Sequence, residues 1–221
     1  VLDDADPLVA ARIAAAGGFG LTGQACTATS RVICTPGIRE AFVAALIAEA
    51  ARFAPGDGLT GGVLMGPLVN SAALATNRRY LDIAAAEGGT VRTGADEPEG
   101  LFQLPAVVTE VRPEHRVAQE EVFGPVIGVL EADDLDTAID IANNVPFGLA
   151  AGIVTANLRA AHRFANRVQA GVVKVNRPTS GLDLNVPFGG IKDSSTNTFR
   201  EQGAMALDFY TWSKSVYLGV D

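Results

Sequence analysis

Residues 126–176 alternate between short apolar runs and helix-like stretches, and this alternation constrains the fold more than any other feature. VIGVLE, AAGIVT and GVVKVN are predominantly apolar, whereas residues 133–144 and 157–168 have helical periodicity. Apolar strands separated by helices of about a dozen residues indicate βαβ units and a parallel sheet covered on both faces. The sequence therefore predicts an α/β fold with an open, mostly parallel sheet and helices on both faces.

Three more helices are predicted before this region. The first should begin after Asp6-Pro7 and end at Gly17-Gly18, because glycine commonly closes a helix. The second should begin after Thr35, directly after the short strand RVICT, and the third should cover residues 71–87. The end of the chain, DFYTWSKSVYLGVD, has no helix to accompany it and predicts a lone strand that needs an edge to pair with.

Composition excludes several classes of function. The formal net charge is -8, and the 17 Lys and Arg residues are scattered, which argues against nucleic-acid binding. No apolar run approaches the roughly 20 residues that a membrane span needs. The two cysteines, Cys26 and Cys34, and the two histidines, His115 and His162, lack metal-ligand spacing, so no metal site is expected. We expect a soluble, cytoplasmic protein.

The stretch GGFGLTGQACTATSR raises two interpretations. Its glycines have the G-x-G-x-x-G spacing of a dinucleotide fingerprint, but they follow a predicted helix rather than a strand, so we reject that interpretation. The glycines instead allow a tight approach to Cys26, where the start of a helical turn would favour the thiolate. From composition alone, Cys26 is more simply a small buried residue. Cys34, on a predicted buried strand, is assigned to the core.

Three blocks of sequence resemble the NAD(P)-dependent aldehyde dehydrogenase family. GQACTATSRV resembles the family's nucleophile motif, and QEEVFGPV and VPFGGIKDSS follow in the family's order and at about its spacing. The resemblance covers essentially the whole chain. It implies the α/β catalytic domain of that family, with NAD or NADP as cofactor and a small aldehyde as substrate.

The resemblance also implies residue roles. Cys26 would attack the aldehyde carbonyl, and the Cys26 backbone N–H would help to stabilise the oxyanion of the thiohemiacetal. Hydride transfer and hydrolysis of the thioester would follow. Glu121 would bind the nicotinamide ribose, and Phe123 would pack near the nicotinamide ring.

The loop at residues 177–186 is expected to set the choice of substrate. LTGQACTATSR, VPFGGIKDSSTNTFREQG and FYTWSKSVY are most similar to 2-oxoglutarate semialdehyde (2,5-dioxopentanoate) dehydrogenases. Ser180 and Leu182 are candidate substrate contacts, and Arg177 is a candidate anchor for an acidic substrate. This loop is one residue longer than in common family members, and Asp193-Ser194-Ser195 departs from the usual Ser-Gly.

The resemblance implies a domain organisation as well. Residues 1–208 would form the catalytic domain, and residues 209–221 an oligomerisation strand of a homodimer or homotetramer. The cofactor-binding domain, the second oxyanion-hole residue and the general base lie upstream of the cysteine in the family and have no counterpart here. The chain thus resembles the C-terminal half of a longer enzyme, and on its own we expect it to be inactive or nearly so.

Two other classes of function stay open. A cysteine hydrolase or acyltransferase would also use an activated cysteine but would recruit a histidine, and the spacing of His115 and His162 suggests no such partnership. A non-catalytic assembly module would need no reactive thiol.

Overall fold

Eight strands and seven α-helices make up the computed structural model, which describes residues 1–96, 98–196 and 200–220. The strands are β1 (Arg31–Cys34), β2 (Thr90–Val91), β3 (Ala106–Thr109), β4 (Val126–Glu131), β5 (Phe147–Gly148), β6 (Ala150–Ile153), β7 (Val172–Val175) and β8 (Ile191–Lys192). The helices are α1 (Pro7–Phe19), α2 (Pro36–Ala50), α3 (Ser71–Ala86), α4 (Arg116–Gln119), α5 (Leu135–Asn143), α6 (Leu158–Arg167) and α7 (Ala206–Tyr210). None of the helices within these ranges is long and apolar enough to cross a membrane.

The central sheet has the strand order β1-β4-β3-β2. β4 is parallel to both of its neighbours, with Arg31 opposite Gly128 on one side and Ala106 opposite Val126 on the other. The short β2 is antiparallel to β3. The predicted α/β class with a mostly parallel sheet is confirmed.

Helices cover both faces of this sheet. On one face α1 and α2 bury Phe19, Phe42 and Leu46 against Ile127 and Val129 of β4. On the other face α3 and α4 pack on the alternate side chains of the same strands, in a cluster that includes Tyr80, Leu81, Val108, Val117, Val126 and Leu130. Because successive strand residues point to opposite faces, β4 is buried on both sides, as its continuous apolar run predicts.

A second layer is formed by β6 and β7, which are parallel and are joined by α6. A smaller cluster of Ile139, Ile153 and Phe164 packs this layer against α5. The backbone of Val1 and Leu2 lies between the two layers. Val1 N donates to the Ile33 carbonyl at 2.8 Å, and Leu2 N donates to the Val154 carbonyl at 3.1 Å.

The first helix differs from its prediction, because α1 continues through Gly17 and Gly18 to Phe19. These glycines do not terminate the helix. A Cβ on Gly17 would lie 2.4 Å from Thr29 Oγ1, and a Cβ on Gly18 would lie 2.5 Å from a side-chain carbon of Ile127. They are required for the close approach of α1 to the sheet and to the loop before β1.

The prediction that these strands form one sheet covered on both faces was only partly correct. β4 and β6 belong to different sheets, and β7 is half-exposed rather than buried on both faces. A separate antiparallel pair joins β5 to β8.

The terminal segment does not form a strand within the described residues. α7 occupies the first three residues of DFYTWSKSVYLGVD, and residues 211–220 have no assigned strand. Asp221 lies outside the described residues, as do residues 197–199 of the stretch VPFGGIKDSSTNTFREQG. Trp212 and Tyr217 are 85% and 93% exposed. A strand needs a partner for its backbone groups, so pairing of this segment across subunits stays a prediction.

Candidate functional site

The loop that carries Cys26 connects α1 to β1. Leu21, Thr22 and Gly23 have φ values of 53°, 60° and 65°, so three successive residues adopt left-handed backbone conformations. The loop is anchored by Thr22 Oγ1, which donates to the Gly66 carbonyl at 3.1 Å, and by Gln24 Oε1, which accepts from Val69 N at 2.8 Å. These contacts fix the chain immediately before the cysteine.

Cys26 lies in an exposed turn. The turn is closed by the Ala28 N–H donating to the Ala25 carbonyl at 2.9 Å, and no helix begins here, so the predicted helix-dipole activation is wrong. Among the described residues the Cys26 N–H has no hydrogen-bond acceptor. This N–H is therefore available to an oxyanion formed beside the sulfur.

Cys34 has the opposite environment. It is fully buried on β1, and burial raises the pKa of its thiol to about 11. Its assignment to the core is confirmed, and it has little thiolate near neutral pH.

A second loop, residues 120–125, faces the first. Phe123 has a φ of 55°, and its side chain is 46% exposed. Gly124 packs so closely on Asn77 that a Cβ would lie 1.8 Å from Asn77 Oδ1. The two loops touch directly, because a Cβ on Gly23 would lie 2.1 Å from the Gly124 carbonyl oxygen.

Glu120 and Glu121 have different surroundings. Glu120 accepts bidentate hydrogen bonds from Arg116 at 2.8 and 2.9 Å and one from the Tyr80 hydroxyl at 2.5 Å. The Arg116 bonds, followed by the Tyr80 bond, lower the pKa of Glu120 to about 2, and the same contact raises the pKa of Tyr80. Glu120 is thus held as a carboxylate by its neighbours, whereas Glu121 is exposed and makes no hydrogen bond or ion pair with the described part of the chain.

A cleft of about 470 Å³ brings several of the predicted residues together. Cys26, Glu121, Phe123 and Arg177 all line it. The volume is in the range of ligand-binding clefts. Leu182 instead lines a neighbouring cleft of about 340 Å³, and Ser180 lines neither cleft.

The 470 Å³ cleft is also lined by residues that the sequence analysis did not identify. Arg31 lines it, and burial lowers the pKa of its guanidinium, which donates to the Ala142 carbonyl at 3.4 Å. Thr29 and Thr179 line it as well, with their hydroxyl oxygens 2.8 Å apart. No local signal could have identified this threonine pair, since 150 positions separate its members.

The residues of the second loop fit one part of a nicotinamide cofactor. The exposed ring of Phe123 offers an apolar surface to a planar heterocycle, and the Glu121 carboxylate can accept hydrogen bonds from ribose hydroxyls. Among the described residues no group of three or more His, Cys, Asp or Glu side chains could hold a metal ion.

Neither histidine supports a hydrolase site. His115 is buried at the start of α4, where its Nδ1 accepts from Arg112 N at 3.3 Å, and His162 lies on α6. Neither residue lines the cleft that contains Cys26.

Comparisons with known proteins agree with one another. The model of the aldehyde dehydrogenase family matches residues 1–216. An alpha-ketoglutarate semialdehyde dehydrogenase of Haloferax volcanii is 49% identical, over 98% of this chain and 46% of the relative. A 2,5-dioxopentanoate dehydrogenase of Saccharolobus solfataricus is 42% identical, over 97% of this chain and 45% of the relative.

Solved structures give the same result for the fold. An indole-3-acetaldehyde dehydrogenase of P. syringae, in complex with NAD+ and IAA, superposes with a TM-score of 0.94 and is 34% identical, over 99% of this chain and 45% of that one. A betaine aldehyde dehydrogenase of Staphylococcus aureus, in complex with NAD+, gives a TM-score of 0.90 at 34% identity, over 95% and 42% of the two chains. The chain spans about half the length of the relatives it matches. These matches do not confirm the expectation that this half is the C-terminal one.

Proposed function

The chain belongs to the aldehyde dehydrogenase family, and on this premise we propose that the complete protein oxidises an aldehyde to a carboxylate with NAD or NADP, using Cys26 as the nucleophile. The observation that carries the proposal is the shared cleft, in which the exposed Cys26 lies together with Glu121 and Phe123. Cys34 is no competitor, because it is buried and its pKa is raised.

The reaction begins at the sulfur. The Cys26 thiolate attacks the aldehyde carbon, a C–S bond forms as the carbonyl π bond breaks, and the carbonyl oxygen becomes an oxyanion that the Cys26 N–H can stabilise. NAD or NADP, bound beside Glu121 and Phe123, would supply the hydride acceptor that conversion of the thiohemiacetal to a thioester requires. Water then cleaves the C–S bond, which releases the carboxylic acid and regenerates the thiol.

Glu121 and Phe123 have the supporting roles. Glu121 would accept hydrogen bonds from the nicotinamide ribose, and Phe123 would pack near the ring. Their positions depend on the loop of residues 120–125, which is held by the close contacts of Gly124 with Asn77 and Gly23.

The proposed substrate is a semialdehyde with an acidic end, such as 2,5-dioxopentanoate. Two relatives at 49% and 42% identity are named for this activity or its synonym, which supports the choice. Arg177 lines the cleft and would attract the carboxylate. Leu182 and Ser180 would shape the loop beside it rather than the wall nearest the sulfur.

The domain organisation and assembly are part of the proposal. Residues 1–208 would act as a catalytic domain, and residues 209–221 would add a strand to the edge of a sheet in a second subunit, giving a homodimer or homotetramer. The exposure of Trp212 and Tyr217 supports such pairing. Small-angle scattering of the complete protein would test it, and a monomer would contradict it.

The decisive experiment compares two cysteine variants of the complete protein. Formation of reduced nicotinamide would be followed with 2,5-dioxopentanoate and with simple aldehydes, using NAD and NADP. We expect Cys26→Ala to abolish activity and Cys34→Ala, the matched control, to retain kcat per folded molecule. Activity with simple aldehydes alone would discard the proposed substrate, and activity that survives in Cys26→Ala would discard the nucleophile.

Two measurements address the alternatives. Thioester cleavage that is lost in His115→Ala or His162→Ala would favour a cysteine hydrolase, and a Cys26 that resists alkylation until denaturation would favour an assembly module. The 221-residue chain by itself is expected to bind nicotinamide dinucleotides weakly. Micromolar binding in isothermal titration would contradict that expectation.

A further inference from the structure

The loop that follows β7 is tied to the loop that carries Cys26. Thr179 Oγ1 lies 2.8 Å from Thr29 Oγ1, so the two hydroxyls share a hydrogen bond. Thr29 is three positions after Cys26, and its N–H donates to the Gly17 carbonyl at 3.1 Å. The hydroxyl pair therefore joins the loop after β7 to a backbone that is itself fixed against α1.

Lys174 holds the same loop from its other side. Its Nζ donates to the carbonyl oxygens of Ser180 and Gly181, at 2.8 and 2.5 Å. Gly181 has a φ of 84°, so the ammonium group closes a turn in which the backbone is left-handed. The described residues contain no carboxylate paired with Lys174. Its hydrogen bonds go to backbone carbonyls, which is the pattern of a group that shapes a turn.

The start of the loop is fixed as well. Asn176 has a φ of 54°. Its Oδ1 accepts a hydrogen bond from Thr155 N, and its Nδ2 donates one to the Thr155 carbonyl, each at 3.0 Å. Between this point and Gly181 lies Arg177, which lines both clefts. The three attachments thus determine where Arg177 and the neighbouring wall stand relative to Cys26.

We propose that Thr179 and Lys174 are positioning residues that set the distance between the loop at residues 177–182 and Cys26, and so determine how well the enzyme binds its aldehyde. This inference rests on the proposed function. Neither side chain takes part in the chemical step. Loss of either attachment should weaken binding of the substrate and leave the reactivity of Cys26 unchanged, because the turn around Cys26 keeps its own hydrogen bond.

The test is a double-mutant cycle in the complete protein. Thr29→Val and Thr179→Val each remove one hydroxyl at nearly constant volume. We expect each to raise KM by about fivefold, the effect of one ordinary hydrogen bond, with kcat within about twofold of wild type. The double variant should be no worse than either single variant, because both remove the same bond. Thr179→Ser should restore KM.

Lys174 is tested in the same way. Lys174→Met should raise KM by more than Thr179→Val, since two hydrogen bonds to carbonyls are lost, and Lys174→Arg should recover part of the loss. Arg159→Met is the matched control, because Arg159 is an exposed cation on α6 that lines neither cleft. It should leave KM unchanged.

Limited proteolysis separates failure of this inference from failure of the proposed function. Thermolysin should cut Lys174→Met faster than wild type at the exposed Leu182 or Leu184, whether or not the protein oxidises aldehydes. If the wild-type protein does not oxidise aldehydes but Lys174→Met is still cleaved faster than wild type, the proposed function is refuted and the attachment of the loop is supported. Wild-type KM and wild-type cleavage in both Thr179→Val and Lys174→Met would overturn the inference, as would a fall in kcat without a change in KM.

Discussion

Gly23→Ala is expected to disrupt the contact between the two loops of the candidate site. The substitution incurs two costs. A φ of 65° is in the left-handed region, which costs a non-glycine residue about 1–2 kcal/mol. The new Cβ would also lie 2.1 Å from the Gly124 oxygen and 2.3 Å from its carbonyl carbon, and both are backbone atoms that cannot rotate away. Overpacking of this kind costs about 1–3 kcal/mol.

The two costs together predict a loss of about 2–5 kcal/mol in the free energy of unfolding. For a domain of this size that corresponds to a fall in Tm of about 4–20 °C. Thermal unfolding followed by circular dichroism measures it directly. Alkylation of Cys26 should change in rate at the same time, because Gly124 and Phe123 line the same cleft as Cys26.

Gly20→Ala is the matched control. It lies in the same loop, but its φ is -54° and a Cβ there meets no atom within 4 Å. Alanine at such a compatible position should be neutral or stabilise by about 0.4–1 kcal/mol. Equal Tm values for the two variants would refute the reasoning, since backbone conformation and loop contact would then make no difference.

Three further predictions concern other parts of the chain. In the native protein iodoacetamide should label Cys26 and spare Cys34. A pKa of about 11 lowers the thiolate fraction of Cys34 about 100-fold relative to an ordinary cysteine, and burial blocks the reagent. Mass mapping that finds both cysteines labelled would contradict this prediction. The depressed pKa of Glu120 means that its contribution to stability is present above its unfolded pKa and is lost as pH falls from about 4.5 towards 2, so Glu120→Gln should reduce the fall in Tm over that interval. Leu46→Ala should cost about 2–5 kcal/mol in urea unfolding, whereas Leu59→Ala, at a 96% exposed position, should change stability by less than about 0.5 kcal/mol.

Local patterns predicted most helices and strands but not how the sheets divide. The second helix begins at Pro36 and β4 covers VIGVLE, as periodicity and proline placement indicate. The predicted end of α1 was wrong because a glycine pair is typical both of a helix end and of a site where a helix packs closely on its neighbours. Only the positions of Thr29 and Ile127 distinguish the two cases. The separation of β4 from β6 depends on long-range pairing that no short window contains.

In the candidate site, too, local sequence patterns predicted some residues but not those whose contacts are distant in the chain. Cys26 and Glu121 were found because each lies in a recognisable block, and the structure brings both into one cleft. The reason first given for the reactivity of Cys26 was wrong, since the residue occupies a turn rather than a helix start. Thr179 and Lys174 were missed because their partners are a distant hydroxyl and two backbone carbonyls, which leave no trace in composition or spacing.

The position of Val1 and Leu2 between the two layers bears on how the molecule unfolds. The layer of β6 and β7 has a small cluster of buried side chains and half-exposed strands, whereas the central sheet is packed on both faces. Such differences divide a protein into units that open with different free energies. Native-state hydrogen exchange should therefore show the β7 amides exchanging through partial openings at low denaturant, while the β4 amides await global unfolding. Residues 1 and 2, which are hydrogen-bonded to both layers, would then couple the two units. Through them the stable central sheet would stabilise the layer of β6 and β7.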